Sequence, residues 1–308
     1  MNQVTSSVNP SETPQHPLPQ PERSRSPATA TRSKPFPISR IVLYVVLIIG
    51  SVLMLLPFAW LIRSSLMGTS QIFVFPPEWI PSPFQWSNYP EALTSVPFGR
   101  YFMNTFIIEV CVLAGVMLTS IVSAFTFARL RWPGRNLIFS LLIGSMMLPY
   151  AVTLIPTFVM WRELGGLNTF LPLIVPAWFG GGAFNIFLMR QFMLTIPRDL
   201  DETAYMDGGT PLTVLWRVII PLSSPALIVI GIFTFIDVWN DFLGPIIYLS
   251  DEKHFTLALG LATFRGLNNT NWPYLMAASS TILAPIVLIF FIGQRYFIEG
   301  ITLTGIKG

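Results

Sequence analysis

The sequence predicts an all-α polytopic membrane protein with six transmembrane helices. Apolar residues make up 52% of the 308 and charged residues only 11%, against roughly 25% charged in an ordinary soluble domain. Several uncharged apolar runs exceed the roughly 18 residues that mark a membrane-crossing helix. A third observation orients them. With spans over 41–62, 101–127, 137–161, 170–189, 224–248 and 273–292, the basic residues on one side are Arg63, Arg100, Arg162, Lys253 and Arg265. The rest of the 18 Lys and Arg fall on the other side. Basic residues collect in short cytoplasmic loops, so both termini are expected in the cytoplasm.

In chain order, residues 1–38 are rich in Pro, Ser, Thr and Gln. Such a segment buries too little surface to offset its ordering entropy, and a disordered tail is expected, leaving 39–308 as the membrane domain. The apolar run that follows is too long for the core of a signal peptide. After the first span comes a loop with Phe73, Phe75, Trp79, Trp86 and Tyr89 among prolines. It reads as an interfacial segment on the outer face or as a packed loop. The second span carries Glu109 and ends in a basic turn, Arg129 to Arg135. Pro149 and Pro156 weaken the third span and Gly180-Gly181-Gly182 the fourth. Membranes tolerate such breaks where the backbone lines a cavity or is buried in protein. On the fifth span Asp237 and Asp241 are expected to share a helical face, with Asn240 beside it.

The composition excludes several functions. Cys111 is the sole cysteine and lies in an apolar run, so no internal disulfide forms. His16 and His254 are far apart and have no ligand cluster, which argues against a metal site. None of Lys34, Lys253 and Lys307 lies in a phosphate loop, so any nucleotide hydrolysis belongs to another chain. The net charge of +3 reflects membrane flanks and gives no reason to expect nucleic acid. No nucleophile or paired-acid constellation suggests an enzyme, and no cofactor is expected on this chain.

The most charged stretch of the otherwise apolar C-terminal part is 196–222, between the fourth and fifth spans. It predicts two short helices. Pro197 suits a first helical position, and Asp199, Asp201 and Glu202 place negative charge in the first turn. Gly208 ends that helix in a left-handed conformation. Thr210-Pro211 resembles a cap and first-position proline, and Pro221 marks the join to the fifth span. Leu212, Leu215, Trp216 and Ile219 have the spacing of one apolar face.

The segment Glu202-Thr203-Ala204, then Gly208, then Val218-Ile219-Ile220-Pro221, resembles the EAA loop of ABC importer permeases. Asn104-Thr105, Ala128-Arg129-Leu130 with Pro133-Gly134, Leu148-Pro149, Gly166-Leu167-Asn168-Thr169 and Trp239-Asn240-Asp241-Phe242 also fall where that family has them. Together they are similar to the carbohydrate-uptake branch and its maltose-permease G subunit. The resemblance implies the type I importer fold, with the EAA loop as a cytoplasmic coupling element. Glu202, Thr203, Ala204, Asp207, Gly208 and Pro221 would form the contact with ATPase subunits, Glu202 facing a basic residue of that partner. It further implies a companion permease in a heterodimer, two ATP-binding cassette subunits carrying ATP and Mg, and an extracytoplasmic sugar-binding protein. The setting would be a bacterial or archaeal cytoplasmic membrane. Candidate pathway residues are Glu109, Tyr150, Trp178, Trp239, Asn240 and Asp241, each of which also suits ordinary packing. The alternative is a self-sufficient secondary transporter or channel using Glu109, Asp237 or Asp241 as ion groups.

Overall fold

The structure is a computed structural model that describes residues 37–266 and 270–305, with side chains over 40–266 and 270–294. The tail expected over 1–38 lies outside the described residues except for its last two. The chain divides into two units, Met1–Met54 and Leu55–Gly308. The described part of the first is the opening stretch of helix α1 (Pro37–Ser65).

In the second unit, short helices α2 (Thr69–Ile72) and α3 (Asn88–Ser95) precede the long α4 (Phe98–Ala128). Helix α4 is the centre of the bundle and packs against α7 (Leu171–Trp178), α8 (Ala183–Thr195) and α12 (Ser224–Trp239). Its buried positions Tyr101, Thr105, Ile108, Val112, Val116, Ser120 and Ala124 recur every three or four residues. This is the single stripe a helix turns toward a core.

Between α4 and α7 lie α5 (Arg135–Ser145) and α6 (Tyr150–Glu163), which meet at 97°. The expected third span is therefore a bent pair. Pro149 disfavours helix at the residue before it and takes an extended backbone itself, whereas Pro156 stays inside α6. The fourth span is likewise two helices, α7 and α8, separated by the glycine run. Gly181 has φ +58°, and a Cβ there would stand 2.5 Å from Thr119 Oγ1. Side chains reach the backbone freed at the break: Asn185 Nδ2 donates to the Gly181 carbonyl at 2.8 Å, and Thr119 Oγ1 shares its proton between the Gly115 carbonyl of its own helix at 2.7 Å and the Ala177 carbonyl at 3.2 Å.

The stretch after α8 holds α9 (Asp199–Met206), α10 (Pro211–Val214), a π turn (Leu215–Ile219) and α11 (Ile220–Leu222). The expected fifth span ends early, because α12 stops at Trp239 and a separate α13 (Leu243–Tyr248) follows. Asp241 therefore lies beyond the helix and shares no helical face with Asp237. Its Oδ1 instead accepts the Gly244 N–H at 3.0 Å and starts α13. The loop with α14 (Leu257–Ala262) is pinned to α4 and is followed by α15 (Trp272–Gly305). Asn104 Nδ2 donates to the Lys253 and Phe255 carbonyls, Thr105 Oγ1 accepts the Leu257 N–H, and Tyr101 OH donates to Glu252.

Among the described residues, four helices are long and apolar enough to cross a membrane, or up to six if each of two bent pairs is one span. The second bent pair joins Pro211–Leu222 to α12 at 74°.

Candidate functional site

The segment between α8 and α12 is built on the ends of three helices. Pro197 precedes the start of α9 by two positions, since the cap residue is Arg198, so the expected first-position role for it does not hold. The three acidic residues do occupy the first turn. At the other end, Gly208 has φ +80°. Its N–H donates to the Tyr205 carbonyl at 3.0 Å, and the Gly209 N–H to the Ala204 carbonyl at 2.8 Å. This pair of bonds is the Schellman stop, satisfying the last carbonyls of the helix. Gly209, the second residue of the Gly208-Gly209 join expected from the sequence, is needed as well: a Cβ there would sit 2.5 Å from the Ala204 oxygen. The next helix starts with a reciprocal cap. Thr210 Oγ1 accepts the Thr213 N–H at 3.3 Å, and Thr213 Oγ1 accepts the Thr210 N–H at 3.2 Å, with Pro211 following the cap.

The predicted single apolar face is split. Leu215 and Ile219 are buried, whereas Leu212 and Trp216 are exposed at 66% and 61%. The cause is the π turn, whose wider winding rotates residues three apart away from one another. Pro221 provides a reason for that turn, because its ring would clash with the carbonyl four residues back in a regular helix. Val214, Leu215 and Ile219 join Ala124, Phe125 and Met193 in one core.

Helix α9 has two unlike faces. Its inner face carries buried Asp201 and half-buried Ala204. Asp201 Oδ2 lies 3.4 Å from Arg129 Nε, at the residue that caps α4. The contact is an ion pair without hydrogen-bond geometry, leaving Arg129 Nε and Asp201 Oδ1 with no hydrogen-bond partner. Burial pushes the Asp201 carboxyl up and the Arg129 guanidinium down, and each partner's charge opposes the shift only in part. More bonds tie the ends together. Arg129 Nη2 donates to the Ile196 carbonyl at 3.0 Å, Arg198 Nη2 to Ala128 at 3.2 Å, and Arg190 Nε to Phe127 at 3.3 Å. The last two carbonyls belong to the final turn of α4, where guanidinium groups suit the helix dipole.

The outer face of α9 carries Glu202, Tyr205 and Met206, at the i, i+3, i+4 spacing of one helical side. Met206 is 88% exposed, and Glu202 makes no hydrogen bond or ion pair among the described residues. Thr203 bonds back to the Asp199 carbonyl at 2.8 Å, Asp207 is exposed at the end of the helix, and Pro221 is exposed in α11. The surface therefore presents the Glu202 carboxylate beside Tyr205 and Met206, with exposed Asp199 and Asp207 at the two ends, on a helix whose other side is fastened to the bundle. The sequence pattern missed the fastening residues: Arg129 entered only as part of a motif, and Arg190 and Arg198 as orientation markers.

The candidate pathway residues are spread over α4, α6, α7 and the end of α12. Trp239 is buried, donates Nε1–H to the Ile282 carbonyl at 3.1 Å and stacks on Phe235. Trp178 donates to the Cys111 carbonyl at 3.1 Å and covers Gly115. Asn240 is exposed and donates to Ile236 within its own helix end. With Trp239 it borders a 510 Å³ cleft against α14 and α15 that Glu109, Tyr150, Trp178 and Asp241 do not line. Tyr150 is half exposed at the start of α6. Glu109 is buried with both carboxylate oxygens lacking a hydrogen-bond partner. Among the described residues there is no His, Cys, Asp and Glu group that could hold a metal ion.

Comparison with known proteins covers most of the chain. The family model described as "Binding-protein-dependent transport system inner membrane component" matches residues 115–302. The chain is 32% identical to the probable ABC transporter permease protein YurM of Bacillus subtilis, over 82% of this chain and 83% of that protein. It is also 32% identical to the sn-glycerol-3-phosphate transport system permease protein UgpE of Yersinia pestis, over 84% of this chain and 94% of that protein. A third relative is the diacetylchitobiose uptake system permease protein NgcG of Streptomyces coelicolor, 29% identical over 82% and 84% of the two chains. Among solved structures, a bacterial ABC transporter involved in importing the acidic polysaccharide alginate superposes with a TM-score of 0.75. That match has 24% identity and covers 84% of this chain and 96% of that one.

Proposed function

The chain belongs to the family of binding-protein-dependent transport system inner membrane components, and from that premise we propose that it is one permease subunit of an ATP-driven importer for a sugar or sugar-derived solute. With a companion permease it forms the translocation path. Two cytoplasmic ATPase subunits supply ATP and Mg, and an extracytoplasmic binding protein delivers the solute. Closure of the ATPases presses on α9, and the path alternates between outward and inward access. The relatives' names, which span a glycerol phosphate and a chitobiose derivative, support the solute class without narrowing it.

The observation that carries this reading is the contrast between the two faces of α9. Free Glu202 with exposed Tyr205 and Met206 suits a basic partner with apolar surroundings. The fastened inner face suits transmission of force to α4 and α12.

Buried, unpartnered Glu109 favours a second reading, in which the chain is a carrier that moves protons with its solute. Reconstitution separates the two. The importer reading expects uptake into liposomes only when companion permease, ATPases, binding protein and ATP are all present. Uptake by this chain alone, driven by a proton gradient, would overturn it.

A further inference from the structure

At the end of α4, the turn from Arg131 to α5 encloses a cleft of about 300 Å³ lined by Arg131, Trp132, Gly134, Arg135, Asn136 and Leu137. Two guanidinium-bearing side chains border it. Arg190 lies close by on α8, its guanidinium 4.1 Å above the Phe139 ring of α5. None of these three arginines has an acidic partner among the described residues. Arg131 is exposed and makes no hydrogen bond there, whereas Arg135 Nη1 is held by the Leu130 carbonyl at 3.0 Å.

The cleft thus has positive charge with no counter-charge, at the junction of a membrane helix and the connecting turn. Two further features sit at the same level. Trp132 has its ring against Phe127 and its Nε1 turned to the Thr126 carbonyl, the amphipathic placement of an interfacial tryptophan. Leading away along α5, Leu137, Ile138 and Leu141 are exposed at 66%, 48% and 66%. A basic pocket with an apolar track leading from it matches a ligand with an anionic head and hydrocarbon tails.

We propose that this cleft binds the phosphodiester headgroup of an anionic phospholipid, with its acyl chains lying along Leu137, Ile138 and Leu141. The inference rests on the proposed function only for the leaflet concerned, which is the cytoplasmic one. The phosphate is the recognised chemistry, and the hydrocarbon track selects a lipid over a free anion.

The test uses the full chain with its partner subunits in nanodiscs of phosphatidylcholine and phosphatidylglycerol. Native mass spectrometry counts the lipid kept after partial delipidation. Phosphatidylglycerol should be retained in preference, and Arg131→Gln should lower that preference about fivefold, the usual effect of one basic residue at an anionic surface. Arg131→Lys should restore most of it, and Arg162→Gln, outside the cleft, should leave it unchanged. Because Arg135 also holds the turn, Arg131 rather than Arg135 carries the test. Equal retention of the two lipids, or no effect of Arg131→Gln, overturns the proposal. Displacement of the lipid by excess inorganic phosphate that itself binds overturns the lipid source. Cross-links from Asn136→Cys to the companion permease, in a Cys111→Ser background, mean that protein covers the cleft and overturn it too. Labelling of the same Asn136→Cys by an impermeant reagent from outside the cell would instead overturn the orientation in the proposed function, leaving the lipid preference to be read separately.

Discussion

Arg129 and Asp201 form a buried pair that is electrically matched but imperfectly bonded. Removing one member of such a pair usually destabilises by about 3–5 kcal/mol, because the other charge is left buried and unpaired. Arg129→Ala also removes the bond to Ile196, so it should lower the melting temperature of the purified complex more than Arg198→Ala does. A pH dependence follows from the raised Asp201 carboxyl. A group that holds its proton more tightly when folded contributes stability at acid pH that is lost as pH rises through its folded pKa. Asp201→Asn does not ionise, so its melting temperature should gain on the wild type as pH rises from acid toward neutral. If the variant loses ground instead, the ion pair outweighs its burial. Exposed Glu202 is a different case. Glu202→Lys should leave recovery of the chain from membranes unchanged while reducing co-purification of ATPase subunits and solute uptake. Normal uptake and normal co-purification would remove Glu202 from the coupling role.

At the scale of elements, two breaks set the behaviour of the helices that contain them. The stop after α9 needs a positive φ at Gly208, where a β-branched side chain is strained by roughly 1–2 kcal/mol. Gly208→Val should impair complex assembly or uptake more than Gly144→Val, which falls in open space. Equal effects would show that backbone conformation at Gly208 is unimportant. In the break of the fourth span, Thr119→Val leaves the Ala177 carbonyl without its side-chain donor. Hydrogen bonds between membrane helices contribute about 1 kcal/mol or less, so a small drop in thermal stability is expected, measured in detergent. The Gly180–Gly182 signal was legible because a glycine triplet in an apolar run has few other uses. The π turn was less so: Pro221 signalled a join, but regular helical spacing concealed the extra winding behind it.

For the whole molecule, the membrane helices were the most legible feature, because lipid demands long stretches of uninterrupted apolar sequence. Where each would bend was legible in part. Pro149 and the glycines marked two breaks, while the end of α12 at Trp239 was marked only by Asn240-Asp241 and Gly244-Pro245, which the apolar residues around them outweighed. The EAA-like spacing located the surface of α9, since residues close in sequence define it. The fastening beneath it was not legible. Arg129, Arg190 and Arg198 find their partners across the fold, and a count of basic residues by loop records only which side of the membrane they mark. The packing contacts of two candidate pathway residues were hidden for the same reason. Trp178 and Trp239 spend their N–H groups on neighbouring helices, which no residue pattern along one helix reveals.

The three arginines at this junction have a mechanical consequence: Arg190 and Arg198 hold the end of α4, and Arg129 reaches from it to Ile196. With Pro221 as its sole attachment, α9 would swivel freely and dissipate a push as local rotation. Anchored to α4 at Ala128 through Arg198 and at Arg129 through Ile196 and Asp201, as well as through α11, it behaves like a plate bolted along two edges. Under the proposed coupling role, a load on Glu202 and Met206 would be shared between α4 and α12, and torque on one would be resisted by the other.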